Sequence, residues 1–232
     1  ACSSGSAPSE LDTNAVSKGI FIDSAVANLK FRTATVSGYT SEAGEFSYHK
    51  GESIIFSIGN IDFPATQAKA LITPIDIAGS TDPYHPIAIN IARLLQSLDA
   101  DGDTENGIYI HAYSHHAARF MEIDFEDQSF DLLGNDLLAQ SPVDRVSLID
   151  VQSAMNHMAM SIQSVDADHD SIHIDLDNCP GVENSNQLDH DDDQIGDACD
   201  ATPNFADSDT DTITNDDDNC PNVSNIEQLD TD

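Results

Sequence analysis

An α+β head followed by an irregular segment of acidic repeats is the architecture the sequence predicts, and three observations predict it. Apolar and polar residues alternate with period two from about Ser17 to Phe63. From Pro86 the apolar spacing changes to that of a helix. After Asp166 the chain becomes strongly acidic, with 21 of its 42 Asp and Glu residues in 166–232 and no Lys or Arg there. These shifts define a flexible tail over 1–16, a head over 17–165 and a repeat segment over 166–232.

The opening ACSSGSAPSELDTN is small and polar, as flexible tails are. Cys2, followed by Ser and Gly, resembles the lipidated first cysteine of a mature bacterial lipoprotein, which would anchor the chain to an outer membrane. Ala1 in front of it leaves open an unmodified tail. No apolar run reaches the roughly 18 residues that a membrane-spanning helix needs.

The strands of the head are read from GIFID, NLKFRT and GEFSYHKGESIIFSIGNIDF, which alternate between glycine punctuation. The stretch SGYTSEAGEFSYHKGESIIFSIG resembles the β-sandwich modules, related to carboxypeptidase regulatory domains, found on bacterial surface proteins. That resemblance implies a sandwich-like packing of the strands. Then IAINIARLLQSL puts Ile87, Ile91, Leu94, Leu95 and Leu98 on one helix face. A second helix is expected over Ser129 to Ala139. A third is expected to start at Ser141, with Pro142 in its first turn, and to run through Val165.

The formal charge of −34 bounds the partners. Nucleic acid requires clustered basic residues to neutralise phosphates, and the chain has eight Lys and Arg in all. Cations are the natural partner of the acidic segment. Its acids are spaced, not smeared: DxDxD runs open at Asp166, Asp189 and Asp207, with a further one at Asp230. Ca²⁺ takes six to eight oxygens, and acids at positions 1, 3, 5, 9 and 12 of a loop can supply them. The first loop offers Asp166, Asp168, Asp170 and Asp177, with Ile174 at position 9, so water or Asp175 would have to fill that place. The second is complete, with Asp189, Asp191, Asp193, Asp197 and Asp200, and is expected to bind best. The third offers Asp207, Asp209, Asp211, Asn215 and Asp218. Position 6, where the turn favours glycine, is Ser171, Gln194 and Thr212, which should weaken binding.

Between these loops lie DNCP at Asp177–Pro180 and Asp218–Pro221, NSNQ at Asn184–Gln187 and GDACD at Gly196–Asp200. In that order the pieces resemble the thrombospondin type 3 repeat, over residues 166–232. The resemblance implies several bound Ca²⁺ ions and a disulfide between Cys179 and Cys199, hence an oxidising compartment. Cys220 would then seek a partner past Asp232, as the incomplete loop at Asp230 also suggests; Cys2 or another chain are the alternatives.

A further loop lies in the head. QSLDADGDTENGI offers Asp99, Asp101, Asp103 and Glu105 in the spacing of half an EF-hand, but position 12 is Ile110, so a ligand from elsewhere would be needed. His111, His115, His116, Met155, His157, Met158 and Met160 form an imidazole and thioether set suited to copper, although the methionine spacing also fits a helix core. Catalysis finds no motif: HAYSH lacks the Glu of HExxH, and neither GxSxG nor a phosphate loop is present. The expectation is therefore a non-enzymatic, calcium-binding structural or adhesive protein of a bacterial surface. Its acidic stalk would be rigidified by Ca²⁺ and would assemble with itself or with a surface or matrix protein. The alternative is a secreted metal-acquisition protein binding copper through the His/Met set.

Overall fold

The computed structural model describes residues 15–174, 177–191, 194–201, 213, 220 and 226. The chain divides into two compact units, Ala1–Ile162 and Gln163–Asp232. The first is the α+β head that the change of period implies.

Its strands are short and arranged in small sheets. β1 (Val16–Phe21) lies between β5 (Glu45–His49), antiparallel, and β9 (Leu71–Ile72), parallel. β3 (Lys30–Arg32) pairs antiparallel with β4 (Ser37–Tyr39) and with β6 (Ser53–Ile58). β7 (Ile61–Asp62) and β8 (Thr66–Gln67) also pair with β6. β2 (Val26–Ala27) runs parallel to β10 (Ile108–Tyr109). The period-two pattern buries alternate residues: Phe46 and Tyr48 of β5 and Ile54 and Phe56 of β6 face the core. Phe56 meets Phe21 and Phe46 edge to face, at ring separations of 4.8 and 5.3 Å. The two-residue strands β9 and β10 are too short to register as a period, and the sequence reading ends its strands before both.

Helices close the core. α1 (Pro74–Ile77) starts at a reciprocal Thr73–Asp76 capping box. α2 (Pro86–Ser97) starts with proline in its first turn and buries Ile91, Leu94, Leu95 and, just past its end, Leu98 completely, as the 3.6-residue spacing requires. α3 is Ala112–Ala117 and α4 is Phe130–Ala139. The turn between β6 and β7 needs Gly59: its φ is +59°, and a Cβ there would sit 2.5 Å from the His115 carbonyl oxygen of α3.

The third expected helix is shorter than its apolar pattern suggests. α5 begins at Val151, not at Ser141. Asp150 caps it, accepting from the Ser153 N–H at 3.0 Å. The preceding backbone is spoken for: Leu148 N–H donates to Asn135 Oδ1 and Ile149 N–H to Ser97 Oγ, while Arg93 Nε donates to the Ile149 carbonyl. Tertiary hydrogen bonds to α2 and α4 thus replace the helical ladder over these residues, and Pro142 opens no helix.

One buried charge-bearing group links strand and helices. Asp23, wholly buried, accepts from Gln96 Nε2 of α2 at 3.0 Å, and the same nitrogen donates to the Ala154 carbonyl of α5. Burial pushes its carboxyl up to about 8 against the partial relief of the Gln96 hydrogen bond. Because the folded pKa lies above the unfolded one, the folded head binds the extra proton. The stability this contributes is full below the ordinary aspartate range, declines as pH rises and levels off above about 8. Denaturant titrations of the wild type and Asp23→Asn from pH 4 to 9 should therefore differ by an amount that shifts steadily toward the variant as pH rises. A difference constant with pH would contradict the protonated state.

Candidate metal centre

The second unit takes in the end of α5 and then the first acidic loop. Among the described residues, ligand atoms of one group of at least three His, Cys, Asp or Glu side chains converge: Asp166, Asp168 and Asp170 lie within 4.8 Å of one another. Backbone N–H groups fold the loop around them. Asp166 Oδ1 accepts from the Asp170 N–H and Oδ2 from the Ser171 N–H, each at 3.1 Å, and Asp170 Oδ1 accepts from Ile172. Asp166 and Asp170 are 5% and 4% exposed, and Asp168 Oδ2 is shielded from solvent with no hydrogen-bond partner. Burial, with the neighbouring Asp170 charge adding to it, raises the Asp166 carboxyl above its ordinary value. Converging, desolvated carboxylates with an oxygen left over fit a hard cation.

The motif pieces between the loops bind one another. Asn178 N–H donates to Gln187 Oε1 at 2.9 Å, Asn184 Nδ2 donates to Asn178 Oδ1 at 2.7 Å, and Gln187 Nε2 donates to Asp177 Oδ1 at 2.9 Å. Asp170 Oδ2 joins the first loop to this network through the Asn184 N–H. Gly196 packs on Asn178 so closely that a Cβ would sit 2.3 Å from Asn178 Oδ1. Cys179 and Cys199 form a disulfide, with Cα atoms 5.7 Å apart. Sequence reading used Asn178, Asn184 and Gln187 as signatures without giving them work; amides at fixed spacing between the loops were the available signal.

The remaining expected ligands fall as follows. Asp177 sits in the amide network, and Ile174, half-exposed, closes the first loop by donating its N–H to the Val165 carbonyl. In the second loop Asp189 Oδ2 accepts from the Gln194 N–H, and its Oδ1 is shielded without a partner. Asp197 pairs with His190, which holds its carboxyl below the ordinary value although desolvation opposes this. Asp191 and Asp200 are half-buried. Asp175, Asp193, Asp207, Asp209, Asp211, Asn215, Asp218 and Cys2 lie outside the described residues; Cys220 is exposed.

Residues 164–187 and 188–228 match the thrombospondin type 3 repeat. This bears out the resemblance, and with it calcium binding as the property of the segment. No curated protein and no solved structure matches the chain. Within the repeats the turn at position 6 is left-handed even without glycine: Ser171 has φ +73° and Gln194 φ +78°. A non-glycine residue there costs about 1–2 kcal/mol, offset by roughly 0.5–1 kcal/mol of extra chain entropy when glycine replaces it. Ser171→Gly and Gln194→Gly should each tighten Ca²⁺ binding about two- to fivefold by calorimetry. Weaker binding in both would show that the side chains themselves serve the ion.

The His/Met set is spread through the head. His111 caps α3, accepting from the Tyr113 N–H. His115 uses both ring nitrogens, Nδ1 accepting from Gly59 and Nε2 donating to the Asn28 carbonyl, and burial lowers its pKa. His157 contacts Ser24 Oγ at 3.0 Å and Thr104 Oγ1 at 3.3 Å. Met158 packs with Ala92 and Ala154, while Met160 is exposed. Among the described residues, no helix is long and apolar enough to cross a membrane.

Proposed function

We propose that the chain is an extracellular structural or adhesive protein of a bacterial surface, whose calcium-loaded repeats form a stiff acidic stalk carrying the head. The observation that carries this reading is the convergence of Asp166, Asp168 and Asp170 inside a segment matching the thrombospondin type 3 repeat. The Cys179–Cys199 disulfide supports an oxidising location. With 21 acids and no Lys or Arg in 166–232, order in the segment depends on bound cations in place of a hydrophobic core. The role is binding and scaffolding, not catalysis. Partners are calcium, further copies of the chain or a matrix protein, with a lipid at Cys2 as the anchor where the lipoprotein reading applies.

Calorimetry of the full chain tests this: saturable uptake of at least two Ca²⁺ ions, with Ca²⁺-dependent self-association in sedimentation, is the expected result. Diffuse, unsaturable uptake would overturn it. Copper acquisition is the competing reading, and the engagement of His115 and Met158 inside the head supplies it with little. Stoichiometric copper in protein purified in calcium would favour it.

A further inference from the structure

The head carries an acidic cleft of its own, about 380 Å³ in volume, walled by the Asp99 loop, β2, β10 and the turn between β4 and β5. Asp99 is 2% exposed. Its Oδ1 accepts from the Tyr109 N–H at 2.9 Å, and its Oδ2 is shielded from solvent with no hydrogen-bond partner. A buried carboxylate oxygen with no donor is costly unless a cation meets it or a proton neutralises it. Asp101 lies two residues along the same wall and is oriented by Asn106, whose Nδ2 donates to Asp101 Oδ2 at 3.2 Å. Gly102, at φ +76°, lets the backbone turn between Asp101 and the far side of the loop.

The loop spans the twelve positions of an EF-hand but cannot finish one. Asp99 and Ile110 pair as an antiparallel bridge, and Ile110 is wholly buried in the core, so position 12 faces away from any ion. Asp103 caps a following turn of helix by accepting from the Glu105 N–H. A third carboxylate reaches the cleft from elsewhere in the chain: Glu42, in the turn between β4 and β5. That turn is held in place by Gly44, whose carbonyl accepts from the Phe21 N–H and whose missing Cβ would sit 2.7 Å from the Phe21 carbonyl oxygen. β2 comes a few residues after Phe21 and pairs with β10, and exposed Glu42 lines the same cleft as the strand that leaves the Asp99 loop.

We propose that this cleft is a Ca²⁺ site of the head, with Asp99, Asp101 and Glu42 as its carboxylate ligands. Three carboxylates from two separated segments suit the irregular oxygen shell of Ca²⁺, with water and backbone carbonyls completing it. They do not converge as tightly as Asp166, Asp168 and Asp170, so uptake draws exposed Glu42 inward and pins the turn to the loop. The site is separate from the repeats and does not rest on their reading.

Tyr109 lines the cleft, so tyrosine-sensitised terbium luminescence that depends on Tyr109 reports on it. Tb³⁺ titrated into the full chain should give saturable emission that Ca²⁺ displaces and Tyr109→Phe abolishes. Asp101→Asn and Glu42→Gln, both exposed positions, should each weaken it by about tenfold or more. Asp189→Asn with Asp191→Asn, which disables the second repeat loop, should leave it unchanged. No displaceable emission, emission surviving Tyr109→Phe, or emission indifferent to Asp101→Asn and Glu42→Gln would overturn the site, whatever calorimetry reports for the repeats.

Discussion

Chelating Ca²⁺ should expand residues 166–232 into an open chain while the head stays folded. Among the described residues the repeats bury few apolar groups, and Val182, Leu188 and Ile226 are exposed, so little besides the ion and the disulfide opposes chain entropy there. Without the ion, Asp166, Asp168 and Asp170 repel one another inside a loop that shields them from water. Monovalent salt screens exposed charges over about 8 Å but cannot replace oxygen coordination. The head keeps its aromatic core of Phe21, Phe46 and Phe56. Small-angle scattering with and without chelator should show a larger radius of gyration, and proteolysis should cut after residue 166 first. Unchanged dimensions, or melting of both units together, would mean that something else holds the repeats.

Cutting the disulfide should be nearly as damaging. Cys179 and Cys199 are separated by 20 residues, and closing a ring of that size stabilises the folded state by about 3 kcal/mol. Cys179, 1% exposed, is also the buried apolar side chain among the described residues of the segment. Because folding is coupled here to the binding of at least two ions, that loss converts to a roughly tenfold higher Ca²⁺ concentration for half-folding. Proteolysis of Cys199→Ser across a Ca²⁺ series checks it. A midpoint identical to that of the wild type would make the disulfide a passenger.

Much of this was legible in residue order, and what was not has a physical cause. α2 was readable because Ile91, Leu94, Leu95 and Leu98 all serve one face. The start of α5 was not, because Ser97, Asn135 and Arg93 claim the backbone before it from distant segments. β9 and β10 are held by register with β1 and β2, which no local pattern encodes. In the repeats, acid spacing pointed to the loops, and the convergence of Asp166, Asp168 and Asp170 fits it. The amides of Asn178, Asn184 and Gln187 only acquire a role once the loops are folded together. Glu42 illustrates the same limit: its place beside Asp99 depends on how Gly44 seats a turn against Phe21, 57 positions (99 − 42) from the loop it joins.

The covalent bridge also has a mechanical meaning for a chain under pull. Tension entering at Cys179 leaves at Cys199 through a span of 5.7 Å, whereas the same 20 residues drawn out straight would reach roughly 65 Å. Asp189, Asp191 and Asp197 therefore sit on a slack branch, outside the line of force. Pull along such a chain reaches the second loop only through Asp200, its one expected ligand outside the bridge, and the length it yields is limited to the residues outside the bridge.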